Sequence, residues 1–522
     1  MIPRAGLPRR VPHWWVAASL SGLGAVLVAS AAVNGTASGS GEVLYQQHCA
    51  ACHGRTGDGN GPATVWLFPR PRNFNAGLFK IQSTPAGALP SDDDLLRSIT
   101  RGLPGSSMPS FSYLSEADRR ALVQHVKFLS ASTGPDGKRV NRFEEAARGG
   151  GVTRPIPVPD EPPPTFESVV KGKELYVKLA CNSCHGETGA GDGTAAASLK
   201  DAFGIPVVPR DFASGAFRGG SDGRDLYLRI AAGIAGTPMP PFNDDVVKPE
   251  DRWALVHFIQ SLRRKDAEVD DMLAPEDGVI RAGRARDSLP MDPTAPAWER
   301  IEAVRVPMNP LWPEPDPLPA IGVRAVHDGK TLVVLLQWRD EIRNGAPVRV
   351  EDFQDAAAVQ FPLGDRIPFV GMGDAANPVN VWQWKAGWQS DVDGVREDVQ
   401  TEYPSTHVDV YPESSLLFAT AAAAGNLAAR MHATPVEDAN ARGFGTMKSQ
   451  PADAQNVQGR GVWRDGHWSV VFVRELFSPD ADDARFAPGK ATPVAFAVWN
   501  GAQRDRNGRK VFSNWFQLAL EP

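Results

Sequence analysis

Hydrophobic positions follow three different rhythms along this chain. The first is a mostly apolar run from Trp14 to Val33, preceded by Arg4, Arg9 and Arg10 and ending in small residues that include Ala29-Ser30-Ala31. Residues 1–34 thus have the pattern of an export signal. The run is also about long enough to span a bilayer, so a cleaved signal peptide and a retained membrane anchor both stand as expectations. The second rhythm is helical. Two amphipathic stretches, Glu42–His48 and Lys173–Ala180, each lead into a Gly-rich loop and then a closing helix. In the first closing helix Ala121, Leu122, Val126 and Leu129 recur at helical spacing, and Ser115-Glu116-Ala117-Asp118 marks its start. From about residue 280 the rhythm becomes strand-like. Apolar segments flank the turn dipeptides Asp328-Gly329, Asp465-Gly466 and Asn507-Gly508, which are hairpin signals. This part reads as a β-sandwich over 280–522, with the Ala-rich stretch Leu416–Arg430 as a helix inserted among its strands.

The two helical regions are copies of one another. "CAACHGRTGDGNGPA" (49–63) matches "CNSCHGETGAGDGTA" (181–195), and "PRNF" (71–74) matches "PRDF" (209–212). "GLPGSSMPSF" (102–111) matches "GIAGTPMPPF" (233–242), and "DRRALVQHVKFL" (118–129) matches "DRWALVHFIQSL" (251–262). Self-similarity in this order implies a duplicated domain, with copies at 40–132 and 166–265. The Pro-rich segment 133–165 between them contains "TRPIPVPDEPPP", which reads as a stiff extended linker. The expected fold class is therefore multidomain: two small all-α domains followed by a mainly β sandwich.

Composition adds exclusions. A net charge of −6 over 522 residues, with no long basic stripe, gives no footprint for nucleic acid. Cysteine is decisive. The chain has only four, Cys49, Cys52, Cys181 and Cys184, and each pair forms a C-x-x-C-H string with His53 or His185. An exported protein could form disulfides, but no cysteine remains to build a framework. C-x-x-C-H is the string that attaches a c-type haem. Two thiols one helical turn apart add to the two vinyl groups, and the next residue offers the iron a nitrogen. A thioredoxin-like thiol pair needs no histidine, and a zinc site needs further ligands nearby.

Two haem irons attached this way each need a sixth ligand. Met108 and Met239 follow the first cysteine of their copy by 59 and 58 residues, each beside a proline in a loop ahead of the closing helix. A loop methionine usually fills a core; the matched spacing favours iron instead. Arg72 and Arg210, in the PRNF and PRDF strings, are candidates for contacts with haem propionates; a plain turn that packs its Phe is the other reading. His125 and His257 do not fall at equivalent repeat positions and read as surface or packing residues. Both copies resemble the class I c-type cytochromes over their full length. That resemblance implies methionine-capped irons and electron transfer more than catalysis.

The strings "GMGDAANPVNVWQWKAGW" (371–388) and "PVAFAVWNGAQRDRNGRKVFSNWFQL" (493–518) resemble the haem-b-binding subunit of ethylbenzene dehydrogenase. The likeness spans roughly 285–520 and extends to the gamma subunits of dimethylsulfide dehydrogenase and of chlorate and selenate reductases. It implies a sandwich holding one non-covalent haem b through Met and Lys and relaying electrons for a molybdenum enzyme. Carried over, Met372 is the thioether ligand and Lys510 the amine ligand, with Lys490 and Lys448 as alternatives. This chain departs from the family in its fused cytochrome domains and in extra length between 388 and 460. The expectation is an exported electron-transfer protein, periplasmic or on the outer face of the cytoplasmic membrane. It would carry two haems c and one haem b and work between a molybdenum oxidoreductase and a membrane or soluble carrier. A dihaem peroxidase, or a dihaem cytochrome with a carbohydrate-binding sandwich, are the competing readings.

Overall fold

The computed structural model describes residues 37–133, 136–149, 154–213, 217–263, 278–285, 289–312, 314, 317–407, 426 and 431–522. The segment 1–34, expected as signal or anchor, lies outside these residues, as does the Ala-rich stretch 416–430 apart from Asn426. Among the described residues no helix is long and apolar enough to cross a membrane.

In the first helical domain, α1 (Ala37–His48) and α2 (Ala50–His53) carry the cysteine string, and α3 (Asp92–Arg101) and α4 (Glu116–Leu129) close the core. Ser91 and Asp94 form a capping box at the start of α3, which satisfies otherwise orphaned amides. Three aspartates in its first turn and Arg101 in its last complement the helix dipole. Ser115 caps α4 through the Asp118 amide, as its sequence suggests. The inner face of α4 buries Leu122, Val123, Val126 and Leu129 against Tyr45, Leu95 and Ile99. Helix α1 crosses α4 at Gly41, where a Cβ would lie 2.4 Å from the Ala121 carbonyl oxygen. Only glycine permits so close an approach. The second domain repeats the device. Its α6 (Phe166–Lys178) crosses α9 (Pro249–Ser261) at Gly172, again over a backbone carbonyl, that of Ala254. Between them lie α7 (Asn182–His185) and α8 (Gly223–Ala232).

The segment expected as a linker is structured in its first half. Strands β1 (Ala131–Thr133) and β2 (Arg139–Asn141) pair, and α5 (Arg142–Arg148) follows. Asn141 donates to the Lys127 carbonyl at 2.9 Å, and Phe143 packs on the first core. Extended chain begins at Arg154. It lies between the two domains: the Ile156 amide donates to Ser83 of the first at 2.8 Å, while Val158 packs on the second core.

The helical domains are also joined by Asp225, whose buried carboxylate lies 2.6 Å from Arg97 and 3.3 Å from Arg101. Arg229 donates to the Gln82 carbonyl beside this pair. Both arginines of the ion pair are partly in water, which screens it, whereas the carboxylate is not. Asp225→Ala should loosen the junction by ~1–3 kcal/mol, below the full value of a buried pair. Calorimetry should show a lowered or split transition, and proteolysis should cut the extended segment 154–165 faster. Unchanged melting and cleavage would show that apolar contacts alone hold the junction.

The remaining chain forms two β layers. The strands are β3 (Val279–Arg284), β4 (Val304–Pro307), β5 (Asn309–Pro310), β6 (Ala320–His327), β7 (Thr331–Arg339), β8 (Ala356–Pro362) and β9 (Val379–Lys385). They continue with β10 (Val436–Ala441), β11 (Lys448–Ser449), β12 (Gln458–Arg464), β13 (His467–Glu475), β14 (Ala491–Trp499), β15 (Val511–Phe512) and β16 (Phe516–Leu520). One layer runs β12-β13-β7-β6-β3-β16 and the other β14-β8-β9-β10-β11. Strand β14 belongs to both: Ala491–Val494 pair with β16 and Ala495–Trp499 with β8. Two of the expected hairpins form at the dipeptides named, β6–β7 at Asp328-Gly329 and β12–β13 at Asp465-Gly466. Asn507-Gly508 makes a local turn inside the longer β14–β15 connection. Trp382, Trp384 and Trp468 are fully buried between the layers. Their indole N–H groups donate to Asn380, Gln389 and Asp355, which removes the cost of burying them.

The first cytochrome-like domain, although farthest from the sandwich in sequence, docks on it. Gln47 donates to the Ile367 carbonyl at 2.8 Å, the Phe68 amide donates to Leu311 at 3.0 Å, and Phe68 stacks on Trp312. Every hydrogen bond between described residues that joins a helical domain to the sandwich comes from this first domain.

Candidate functional site

The cysteine strings fold alike in both copies. A short helix follows each first cysteine and ends at the histidine, with Gly54 and Gly186 taking the positive φ that turns the chain away. The imidazole is then fixed from behind. His53 Nδ1 lies 2.9 Å from the Arg72 carbonyl oxygen, and His185 Nδ1 lies 3.3 Å from that of Arg210. A carbonyl only accepts, so Nδ1 carries the hydrogen and Nε2 keeps its lone pair, the arrangement of a metal-ligating histidine. Phe74 and Phe212 stack on the two rings at 4.5 Å. Of the two readings of the PRNF and PRDF strings, the packed Phe is present in both; the carbonyl that holds the histidine ring is a role their sequence did not suggest. Burial pulls His53 down to about 4 and lowers His185, so both rings are neutral near pH 7.

The methionine loops are equally matched. Leu103 and Ile234 donate to the Met108 and Met239 carbonyls at 3.0 and 3.2 Å. Ser106 and Thr237 hydroxyls accept from the two methionine amides, both at 3.3 Å. In the first domain Met108 lines one cavity with Cys49, Cys52, His53, Phe74, Leu95, Ile99 and Phe111. The cavity measures about 1280 Å³ with its open side included, ample for a cofactor-sized ligand. Thiols, imidazole and thioether thus meet around one apolar space, the donor set that fits a covalent haem. Burial pushes both thiols of this pair up to about 12, the opposite of a redox-active thiolate. Among the described residues no three His, Cys, Asp or Glu side chains gather as a metal site of their own.

Some lining residues carry no obvious signal in the sequence. Phe369 enters the first cavity from the sandwich, and Arg72, Lys80 and Arg218 converge on it. Burial, then repulsion by Arg72 and Arg218, pulls Lys80 down to about 7. Lys80 and Arg218 each lie eight residues after Arg72 or Arg210, so they occupy matched positions of the repeat. Arg210 serves both domains: its carbonyl faces His185, while its guanidinium lies against Gly105, in the first domain's methionine loop. His125 and His257 are buried packing residues. His125 packs on Tyr45, and His257 bonds with Ser168.

On the sandwich, Met372 and Lys510 approach one surface. The outer face of β8 and β14 is made of Ala356, Ala358, Ala495, Ala497 and Trp499, and Met372 packs there with Val370, Met447 and Trp515. Small side chains leave room above this floor. Lys510 Nζ lies 4.6 Å from the Trp499 ring centre, and burial pulls its ammonium down to about 8. Among the described residues it has no carboxylate partner. An amine must shed its proton to bind iron, and this position favours that. Lys490 and Lys448 are exposed. Met372 has φ +70°, a left-handed backbone rare for such a side chain. The Met372/Lys510 surface fits a haem with thioether and amine donors.

The first cavity and this surface share an apolar wall. Cys52, Ala63 and Leu67 pack in one cluster with Leu311, Phe512, Val370, Phe444 and Ala497. Tyr113 packs on the first core and on the Met372 cluster, and its hydroxyl bonds with His48 at 3.3 Å.

Comparison with known proteins agrees with this division of the chain. The family described as Ethylbenzene dehydrogenase matches residues 295–511. Residues 37–126 match Cytochrome C oxidase, cbb3-type, subunit III, and 169–263 match Cytochrome c. A Haloferax mediterranei protein named for a haem subunit of respiratory nitrate reductase is 30% identical over 45% of this chain and 69% of its own length. The gamma subunit of Ideonella dechloratans chlorate reductase is 27% identical over 38% of this chain and 64% of its own. The gamma subunit of Rhodovulum sulfidophilum dimethylsulfide dehydrogenase is 27% identical over 45% of this chain and 76% of its own.

Proposed function

We propose that this chain, which belongs to the ethylbenzene dehydrogenase haem-subunit family and carries two cytochrome c domains ahead of that region, is an electron-transfer subunit with three haems. Cys49, Cys52 and His53, with Met108, would hold one haem c; Cys181, Cys184 and His185, with Met239, would hold the other. Met372 and Lys510 would hold a haem b. Bound haem supplies one-electron exchange; the chain supplies attachment, axial donors, burial and spacing. With Met108 and Met239 each giving its iron a second protein donor, neither covalent site would keep an open position, which favours transfer over a peroxidase reaction.

The observation that carries this reading is the wall shared by Cys52 and the Met372 surface. Taken with the Asp225 junction between the two helical domains, it supports the working order sandwich, first domain, second domain. The relatives' names point to the setting. They are subunits of nitrate reductase, chlorate reductase and dimethylsulfide dehydrogenase. A molybdenum oxidoreductase is the partner proposed for the sandwich side, with a membrane or soluble carrier beyond the second domain. The Trp14–Val33 run supports export to the periplasm or the outer membrane face. A pyridine haemochrome spectrum of the purified protein should count two c-type haems and one b-type haem. Two c-type haems alone would make the sandwich a different kind of binding module. Oxidised irons without thioether coordination would point to an enzyme.

A further inference from the structure

We infer that Arg218, on the second cytochrome domain, completes the haem site of the first by binding a propionate carboxylate across the domain junction. This rests on the covalent haem proposed for Cys49 and Cys52. Arg218 lines the cavity that contains those cysteines, His53 and Met108. Its loop is seated on the first domain: a Cβ at Gly219 would lie 3.2 Å from Ile81, and one at Gly220 would lie 3.1 Å from Arg101. The Asp225 ion pairs hold the first turn of α8, just after this loop, to the same domain. The Nε of Arg218 is buried without a hydrogen-bond partner.

The charge balance gives the reason for an anion. Arg72, Lys80 and Arg218 converge from two domains on one apolar space. Among the described residues no carboxylate hydrogen-bonds to any of the three, and Asp201 alone acts on Arg72 and Lys80 through space as an opposing charge. Buried cations without counter-charge are strongly unfavourable. Two propionates would supply the counter-charge that Asp201 alone does not, and a guanidinium meets a carboxylate with two parallel hydrogen bonds. The junction is reciprocal: Arg210 lies against Gly105 of the first domain's methionine loop, and Arg72 lies near Gly236 of the second's. Docking of the two domains and the charge environment of the first haem are therefore linked.

The test is a potentiometric titration of the full-length holoprotein, following the two c-type waves separately. Met108→His identifies the first domain's wave, because only that wave should fall steeply. Arg218→Gln should then move the first domain's wave to lower potential, since a lost positive charge favours the ferric iron, and move the second much less. Arg218→Lys, which keeps the charge, should leave the first wave near its parental position. A first wave unmoved by Arg218→Gln, or a shift confined to the second wave, would overturn the inference. So would a Lys variant displaced as far as the Gln variant, or equal displacement of both waves, which marks general damage. If the haemochrome count shows no haem at Cys49 and Cys52, the parent reading fails first; two c-type haems with an insensitive first wave sink this inference alone.

Discussion

Replacing Cys49 and Cys52 together by alanine should remove one of two covalent haems and disconnect the sandwich from the second cytochrome domain. Leu95, Ile99, Phe111 and Met108 belong both to the first domain's core and to the cavity lining, so they would lose the group they enclose. Cores do not close over a void of this size without loss of stability. The haemochrome c-type absorbance should fall by half. In flash-reduction experiments, electrons introduced at the sandwich should no longer reach the second haem on the parental timescale. The matched pair Cys181→Ala and Cys184→Ala should also halve the c-type absorbance, yet leave fast exchange between the sandwich and the first domain. If the second haem is still reduced at the parental rate without the first, the order sandwich, first domain, second domain is wrong.

Lys510→Leu should abolish the normal b-type spectrum while leaving both c-type haems intact. The amine sits over Trp499 on a half-buried side chain, with no carboxylate partner among the described residues. A buried charge replaced by an apolar side chain of similar volume is commonly neutral or stabilising, so the fold should survive. Acid-acetone extraction should then recover little haem, or the remaining b-type haem should lose its six-coordinate signature. Lys490→Ala and Lys448→Ala, at exposed positions, should change nothing. Met372 offers an independent arm. Its positive φ costs ~1–2 kcal/mol for a residue with a Cβ. In Met372→Gly that relief should offset part of the lost packing, so the fold should survive while b-type ligation is lost. A parental b-type spectrum in both variants would remove these two residues from the site.

The attachment strings, the histidines, the methionine loops and the hairpins at Asp328-Gly329 and Asp465-Gly466 were legible because each is a local device. Thiols one helical turn apart and a dipeptide at a hairpin are fixed by neighbours a few residues away. The Met239 loop pairs its backbone as the Met108 loop does, because duplication repeats the whole local pattern. The hairpin and helix between 131 and 148 were missed because that segment gains its stability from the first core, through Phe143 and Asn141, more than from its own residues.

Chain order gave a misleading picture of neighbours. Read linearly, the second cytochrome domain adjoins the sandwich. Folding instead sets the first domain there, through contacts such as Gln47 with Ile367 that join residues 320 apart. Arg218 and Phe369 likewise reach a cavity belonging to a different stretch of chain. Such pairings depend on which apolar and charged surfaces fit once each domain is formed, and no short-range rule encodes them. The chemistry of this protein is therefore written in its local motifs, while the order in which its sites stand is a product of packing.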